Sequence, residues 1–231
     1  MFLILLFGMI SVFVTFPLGN GDEGYHLSKS YNIFSMNHPK SMKKTVVRQL
    51  EYQAIGLDGD MKDFDVETFY IKKLKDVEKD SFRFNIAYDR NITMQIDIAH
   101  IPAAIGVMVG RVIYPSYGIM LLCSRISSLL FFALCMGAII KKSTVGKWTL
   151  FMLFSIPCIQ KLASPSYDVF SYVVFAMYSM NIFELAKLRT IKEISKQKIL
   201  YTLITIILLL FCKKNYLICI SCYSVSAVCF S

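Results

Sequence analysis

Hydrophobic and polar residues occur along this chain in long blocks. Residues 2–18 are apolar except for Ser11 and Thr15, and residues 19–95 are polar. Beyond them lie further apolar runs at 100–116, 117–140, 148–162, 169–185, 199–212 and 216–230. Runs of this length predict helices that cross, or nearly cross, a bilayer. The expected fold is therefore mainly α: a polytopic transmembrane helical protein whose first spanning helix is residues 1–18.

The polar block, residues 19–95, is predicted to be a small extracytoplasmic α/β segment between the first two spanning helices. Its stretch "SMKKTVVRQLEYQAIGLDGD" fits a short amphipathic helix or a strand that ends at a Gly/Asp turn. "VETFYIKKLKDVEKDS" carries apolar residues at helical spacing, whereas "FRFNIAYDRNITMQIDI" alternates apolar and polar residues as a strand does.

Residues 96–116 are predicted to form an interfacial or re-entrant helix. The run is short, opens at Pro102 and is interrupted by Arg111. If it crossed the membrane, the basic loop at Lys141 would lie outside, which the positive-inside rule disfavours. The remaining residues, 117–231, are expected to supply four to five spanning helices.

Composition supports a membrane protein, since 55% of the residues are hydrophobic and only 18% are charged. The net charge of +9 is unevenly distributed: residues 19–116 hold 13 basic and 13 acidic residues, and residues 117–231 hold 12 and 3. This excess indicates orientation in a membrane and no nucleic-acid partner. All seven cysteines lie in the apolar half, so no disulfide framework is predicted.

Two loops, around residues 141–147 and 187–198, carry eight basic residues and one acid, and are predicted to be cytoplasmic. The N-terminus is then cytoplasmic and the large polar segment is outside, in a multi-pass protein of the cell membrane. A cleaved signal peptide is the alternative for residues 1–18. An uncleaved helix is favoured because the run lacks a basic start and a small-residue cleavage site.

The motif "GDEGYH" directly follows the first helix and offers Asp22, Glu23 and His26. A carboxylate at the outer face could act as a general base on a sugar hydroxyl, or help to hold a metal ion on a phosphate. The alternative is a solvated helix end. His38 and His100 are isolated in the sequence, and a structural role is predicted for both.

The turn "SPSYD" brings Asp168 to the same face, either as a second site carboxylate or as a favourable acid at a helix start. Lys213 and Lys214, followed by Tyr216, could bind the phosphates of a lipid carrier, or could extend from a helix end toward water.

Two arginines, Arg111 and Arg125, interrupt apolar runs. An arginine within a membrane segment is costly and is usually functional or paired. Asp168 and Glu23 are the expected partners, and Arg111 is a candidate substrate-binding residue.

The order of "GDEGYH", "HIPAAIGVMVGRVIYPSYGIMLLCSRISSLLF", "SIPCIQKLASPSYDVFSYVV" and "LLLFCKKNYLICI" resembles a bacterial family of polytopic membrane proteins, domain of unknown function 2142. That family is itself similar to the C-type membrane glycosyltransferases, which take sugars from polyprenyl-phosphate carriers. Family members continue through further helices, so the chain is expected to be C-terminally truncated.

The resemblance implies that Asp22 or Glu23 is a catalytic base, that Asp168 belongs to a shared turn, and that Lys213 to Tyr216 form a substrate-binding break. The expected function is glycosyl transfer in cell-surface polysaccharide or glycolipid assembly. Its partners would be the bilayer, a polyprenyl-phosphate sugar donor and other envelope-assembly proteins. The resemblance also allows a divalent metal ion as a cofactor. The alternative is a non-enzymatic transport or scaffold subunit, or an inactive fragment.

Overall fold

The computed structural model describes residues 2–19, 23–35, 65–84, 98–144, 156–187 and 194–212. Within these ranges the chain is helical, with α1 (Phe2–Val14), α2 (Glu23–Ile33), a π-helical turn (Glu67–Ile71), α3 (Lys75–Glu78), α4 (Ile101–Ile113), α5 (Tyr117–Lys142), α6 (Ile156–Leu162), α7 (Asp168–Ala186) and α8 (Lys196–Leu210). Two of these helices, α5 and α7, are long and apolar enough to cross a membrane.

The apolar pattern predicted these helices well. The run at 117–140 became α5 and the run at 169–185 became α7, each within two residues at either end. Helix α1 is shorter than the run 2–18, because the chain turns after Val14 and Leu18 has a positive φ of 62°. The run at 216–230 lies outside the described residues.

The strand content expected for the polar segment is not found among the described residues. The motif "VETFYIKKLKDVEKDS" forms the π-helical turn and α3, as its helical spacing predicted, and only Lys73 and Ser116 make an isolated antiparallel bridge. The stretches 41–60 and 85–97, which carry the other predictions for this segment, lie outside the described residues.

A bundle of α1, α5, α6 and α7 forms the larger core. The apolar side chains buried in it are Ile4, Val12, Leu129, Phe132, Ala133, Met136, Leu162, Ala163, Val169, Val173, Ala176 and Met180. Gly8 lets α1 approach α5 closely, because a Cβ there would overlap the Leu129 side chain. Helix α8 packs on α7, where the amide of Asn181 donates to the hydroxyl of Thr202 at 2.7 Å.

Helices α4 and α5 form a tight hairpin. A Cβ at Gly106 would overlap the Cys123 carbonyl, and one at Gly110 would lie 2.8 Å from the Met120 Cα. This spacing of two glycines four residues apart is the arrangement that lets helix backbones approach closely in membranes. Ser116 starts α5 by accepting from the backbone N–H of Ile119 at 3.3 Å.

A second, smaller core covers the end of this hairpin that holds the α4–α5 loop, where α2 and residues 65–84 pack on α4 and α5. Tyr31, Phe69 and Tyr117 are among its fully or almost fully buried members. The backbone N–H of Leu74 donates to the Pro115 carbonyl at 2.9 Å, so that the loop between α4 and α5 is tied to the preceding segment. We call α2, residues 65–84, α4 and the first turns of α5 the outer region, after the side of the membrane on which the sequence predicts it.

Candidate functional site

Glu23, the first residue of α2, is completely buried and forms an ion pair with Arg125 of α5. The contact is bidentate: Nε donates to Oε1 and Nη2 donates to Oε2, each at 2.7 Å. Such parallel bonds are the strong geometry for an arginine and a carboxylate. The sequence hypothesis that Glu23 is a partner of an intramembrane arginine is therefore confirmed for Arg125.

The same guanidinium also closes the end of α1. Nη1 donates to the carbonyls of Val12 and Thr15 at 3.1 and 2.9 Å, and Nη2 donates to that of Phe16 at 3.1 Å. With the two bonds to the carboxylate, all five N–H donors of Arg125 have acceptors. A cation at a helix C-terminus also interacts favourably with the helix dipole. Arg125 thus joins α1, α2 and α5 at one point.

His26, one turn after Glu23, lies against a second histidine. Its Nδ1 is 2.9 Å from Nε2 of His100, which directly precedes the first residue of α4, and both residues are buried. The ring of Tyr167 packs edge-on against both, with centroid distances of 4.9 Å to His26 and 5.8 Å to His100. His100 is isolated in the sequence, but the α4–α5 hairpin places it beside α2 in the structure.

Tyr167 brings the "SPSYD" turn to this cluster. Asp168 follows it as the first residue of α7, and its backbone N–H donates to the Ser166 hydroxyl at 3.1 Å. The Asp168 carboxylate lies 3.2 Å from the ammonium of Lys161, whose side chain is 62% exposed. The first turn of α2, the start of α4 and the α6–α7 turn therefore meet at one end of the bundle.

The sequence suggested Asp168 or Glu23 as the partner of Arg111, but Arg111 pairs with neither of them. It is buried in the outer region, 3.8 Å from the carboxylate of Asp80, and it also donates to the Asp80 and Phe34 carbonyls. Asp80 accepts in addition from the hydroxyls of Tyr31, at 2.8 Å, and Ser35. Arg111 therefore holds protein groups together.

Burial, and then the hydrogen bond to Asp80, raise the pKa of Tyr31 well above its usual value. The raised pKa means that the neutral hydroxyl is strongly favoured in the folded protein. The buried network consequently keeps its donor from neutral pH into the alkaline range.

The other predicted site residues, Asp22, Lys213, Lys214 and Tyr216, lie outside the described residues. Sequence reasoning missed Asp80, His100 and Tyr167 as members of buried polar clusters. Tyr167 had a signal, because it immediately precedes Asp168 in the motif. Asp80 had none, since it lies among exposed charges in "KDVEKDS".

The described residues do not bring together three or more histidine, cysteine or carboxylate side chains that could hold a metal ion. His26 and His100 offer two nitrogens, but these face each other at hydrogen-bond distance. The metal ion that the sequence left room for has no fitting donor set in this part of the chain, and no chemical step is assigned to it.

A family model described as predicted membrane protein, DUF2142, matches residues 5–228. No curated protein and no solved structure matches the chain.

Proposed function

We propose, from the premise that this chain belongs to the DUF2142 family of predicted membrane proteins, that it is a glycosyltransferase-like protein of the cell membrane. It would transfer a sugar from a polyprenyl-phosphate carrier during cell-surface polysaccharide or glycolipid assembly. The proposed topology is multi-pass, with a cytoplasmic N-terminus and the outer region on the extracytoplasmic side. Other envelope-assembly proteins would supply the acceptor.

One observation carries this proposal: the "GDEGYH" motif and the "SPSYD" turn meet, through the contact of His26 with Tyr167. Two motifs that are about 140 residues apart in the sequence thus share one end of the helical bundle. Clefts formed where several elements converge are the usual place for a small-molecule site.

The contacts of Glu23 separate the proposed roles of the two acids. Glu23 is fully buried and engaged by Arg125, so it has no free lone pair directed at solvent and serves to position the start of α2. Asp22 is the remaining carboxylate of the pair, and we assign the general base to it. Lys213 and Lys214, with Tyr216, would bind the carrier phosphate, while Asp168 and His26 would line the acceptor side.

Paired amide variants test this division. Asp22→Asn should lower sugar transfer by about 10²–10⁴-fold, the usual contribution of a general base, without changing the stability of the protein. The matched control, Glu23→Gln, should lower thermal stability, and any loss of sugar transfer should follow from that lower stability. The assay uses the full chain in vesicles that contain a polyprenyl-phosphate sugar donor.

A second candidate function, a non-enzymatic scaffold subunit, is favoured by the complete engagement of Glu23 and Arg111 within the protein. A scaffold would show no sugar transfer in these vesicles, whether or not it carries Asp22→Asn, and the variant would leave its stability unchanged. Absence of transfer by the unmodified chain would remove the glycosyltransferase proposal, whereas transfer that persists in Asp22→Asn would remove the assignment of Asp22 as the general base.

A further inference from the structure

Helix α4 has no polar face. Pro102, Ala103, Gly106, Val107 and Gly110 are buried in the outer region. The opposite side carries a continuous apolar row, which we call the α4 stripe: Ile105, Val109, Val112 and Ile113. Its spacing of three and four residues places the row on one face of the helix.

The stripe is open to its surroundings. Val112 is 71% exposed and Ile113 is 68% exposed, which is far from the burial expected of such side chains in a water-soluble core. The single charged residue of α4, Arg111, points away from the stripe into the Asp80 network. A helix that is apolar all round and half exposed needs a nonpolar medium on its open side.

Residues 65–84 add an aromatic and basic edge at the C-terminal end of the stripe. Tyr114 donates to the Ile71 carbonyl at 2.6 Å, and the guanidinium of Arg111 lies 3.9 Å from the centre of the Phe82 ring. The ring of Phe84 packs on Phe34 at 5.8 Å, yet 59% of Phe84 is exposed. These contacts fix the edge against α4.

The basic residues of this edge lie beside its exposed apolar and aromatic side chains. Lys72 follows the exposed Ile71, and Arg83 lies between Phe82 and Phe84; both basic residues are exposed. The ammonium of Lys73 lies 5.2 Å from the centre of the Tyr114 ring. Aromatic rings interleaved with basic side chains beside an apolar face are typical of the water–membrane interface, where the charges meet lipid phosphates.

We propose that the α4 stripe is covered by acyl chains of the outer leaflet, and that the edge formed by residues 71–73 and 82–84 contacts lipid headgroups. Helix α4, which carries the stripe, packs along α5, a candidate spanning helix whose own exposed residues include Leu130 and Leu134. The outer region is thereby held against the bilayer beside the bundle.

The hairpin geometry indicates which end of the α4 stripe lies deeper in the bilayer. Ser127, near the middle of α5, donates to the Pro102 carbonyl at 2.7 Å, whereas Gly110 lies against Met120 near the start of α5. Helix α4 therefore runs back along α5, and Ile105 lies deeper than Ile113. The length of α4, 13 residues, corresponds to about 20 Å, somewhat more than half of a hydrocarbon core of roughly 30 Å.

Fluorophore quenching tests the surface and its direction. In a chain freed of native cysteines, single cysteines replace Ile105, Ile113 or Phe82, and each is labelled with an environment-sensitive dye. Asp65→Cys, at an exposed position of the same outer region that lies outside the proposed edge, is the matched control. All variants are reconstituted in vesicles of phosphatidylcholine containing phosphatidylglycerol, after gel filtration has shown that each remains monodisperse in detergent.

Lipids that carry a nitroxide on the acyl chain should quench the labels at Ile105 and Ile113 and blue-shift their emission. Nitroxides near the chain end should act most on Ile105, and nitroxides near the headgroup on Ile113 and Phe82. Aqueous iodide should quench only the control. Iodide quenching of the stripe would overturn the proposal, as would labels that neither quencher reaches, which would indicate a protein partner or a second copy on this face.

Discussion

The bundle and the outer region are stabilised by different interactions. The bundle has the larger apolar core, and the side chains of Ser128, Ser171 and Asn181 that are buried along its helices are uncharged. The outer region has a small apolar core but also holds Glu23, Asp80, Arg111, Arg125 and His100 in buried positions. In a bilayer the hydrophobic effect does not draw apolar helices together, because lipid is as apolar as leucine. Buried ion pairs, by contrast, have a strong geometric requirement, and here they determine where α1, α2 and α5 meet.

The largest effect is expected at the residue that joins the two regions. Arg125→Met should lower the free energy of unfolding by about 3–5 kcal/mol, because it leaves the Glu23 carboxylate buried without a counter-charge. It also removes the donors to the carbonyls of Val12, Thr15 and Phe16. Denaturant unfolding of the detergent-solubilised protein measures the change.

Leu129→Ala is the counterpart within the bundle, four residues further along α5. Leu129 is completely buried against α1. In water-soluble cores this change costs roughly 2–5 kcal/mol. A value at or below the lower end is expected here, because a lipid-like medium removes the transfer term and leaves the packing loss. Equal losses at Leu129 and Arg125 would contradict the contrast between the regions.

A smaller effect is expected where the two regions share a helix hairpin. Gly106→Ala places a methyl group against the backbone of Cys123 and Ser124, which cannot move as a flexible side chain could. Such overpacking typically costs about 1–3 kcal/mol. Ile105→Ala is the matched control, since the adjacent side chain faces outward and its removal should change stability little. Thermal unfolding of both variants, followed by circular dichroism, compares the two faces of α4.

The sequence predicts the bundle better than the outer region, and the physical difference between the two regions explains why. Long apolar runs predict α5 and α7 nearly to the residue, because helix length in a membrane follows the length of the run. Arg125 was identified as needing a partner, and Glu23 as a candidate, since an intramembrane charge is too costly to leave alone. The specific network of Arg111 with Asp80 could not be predicted, because any of several acids in the polar segment could have reached it.

The histidine pair illustrates a further limit. His26 and His100 are 74 residues apart, and their contact depends on the α4–α5 hairpin closing at Gly106 and Gly110. Neither histidine has a neighbour in the sequence that suggests pairing. A hairpin whose register is set by two glycines is visible only once the helices are placed, although the glycine spacing itself was present in the sequence.

The smallest expected effect concerns a single hydroxyl of the outer region. Tyr31→Phe removes the donor to the buried Asp80 carboxylate and should lower the free energy of unfolding by about 1–2 kcal/mol at neutral pH. The aromatic ring keeps its packing in the small core, so the loss should remain well below that of Arg125→Met.

The pH dependence of this difference gives the sharper test. Because the folded pKa of Tyr31 is raised, the folded protein retains the phenolic proton while the unfolded chain releases it above a pH of about 10. The stabilisation by Tyr31 is therefore fully present below that pH and declines as the pH rises toward the folded pKa, by up to about 1.4 kcal/mol for each pH unit. The wild-type chain should consequently approach the stability of Tyr31→Phe in alkaline solution. A difference between the two that stays constant from neutral pH to the alkaline limit of the assay would show that the Tyr31 hydroxyl is not held in the buried network with Asp80.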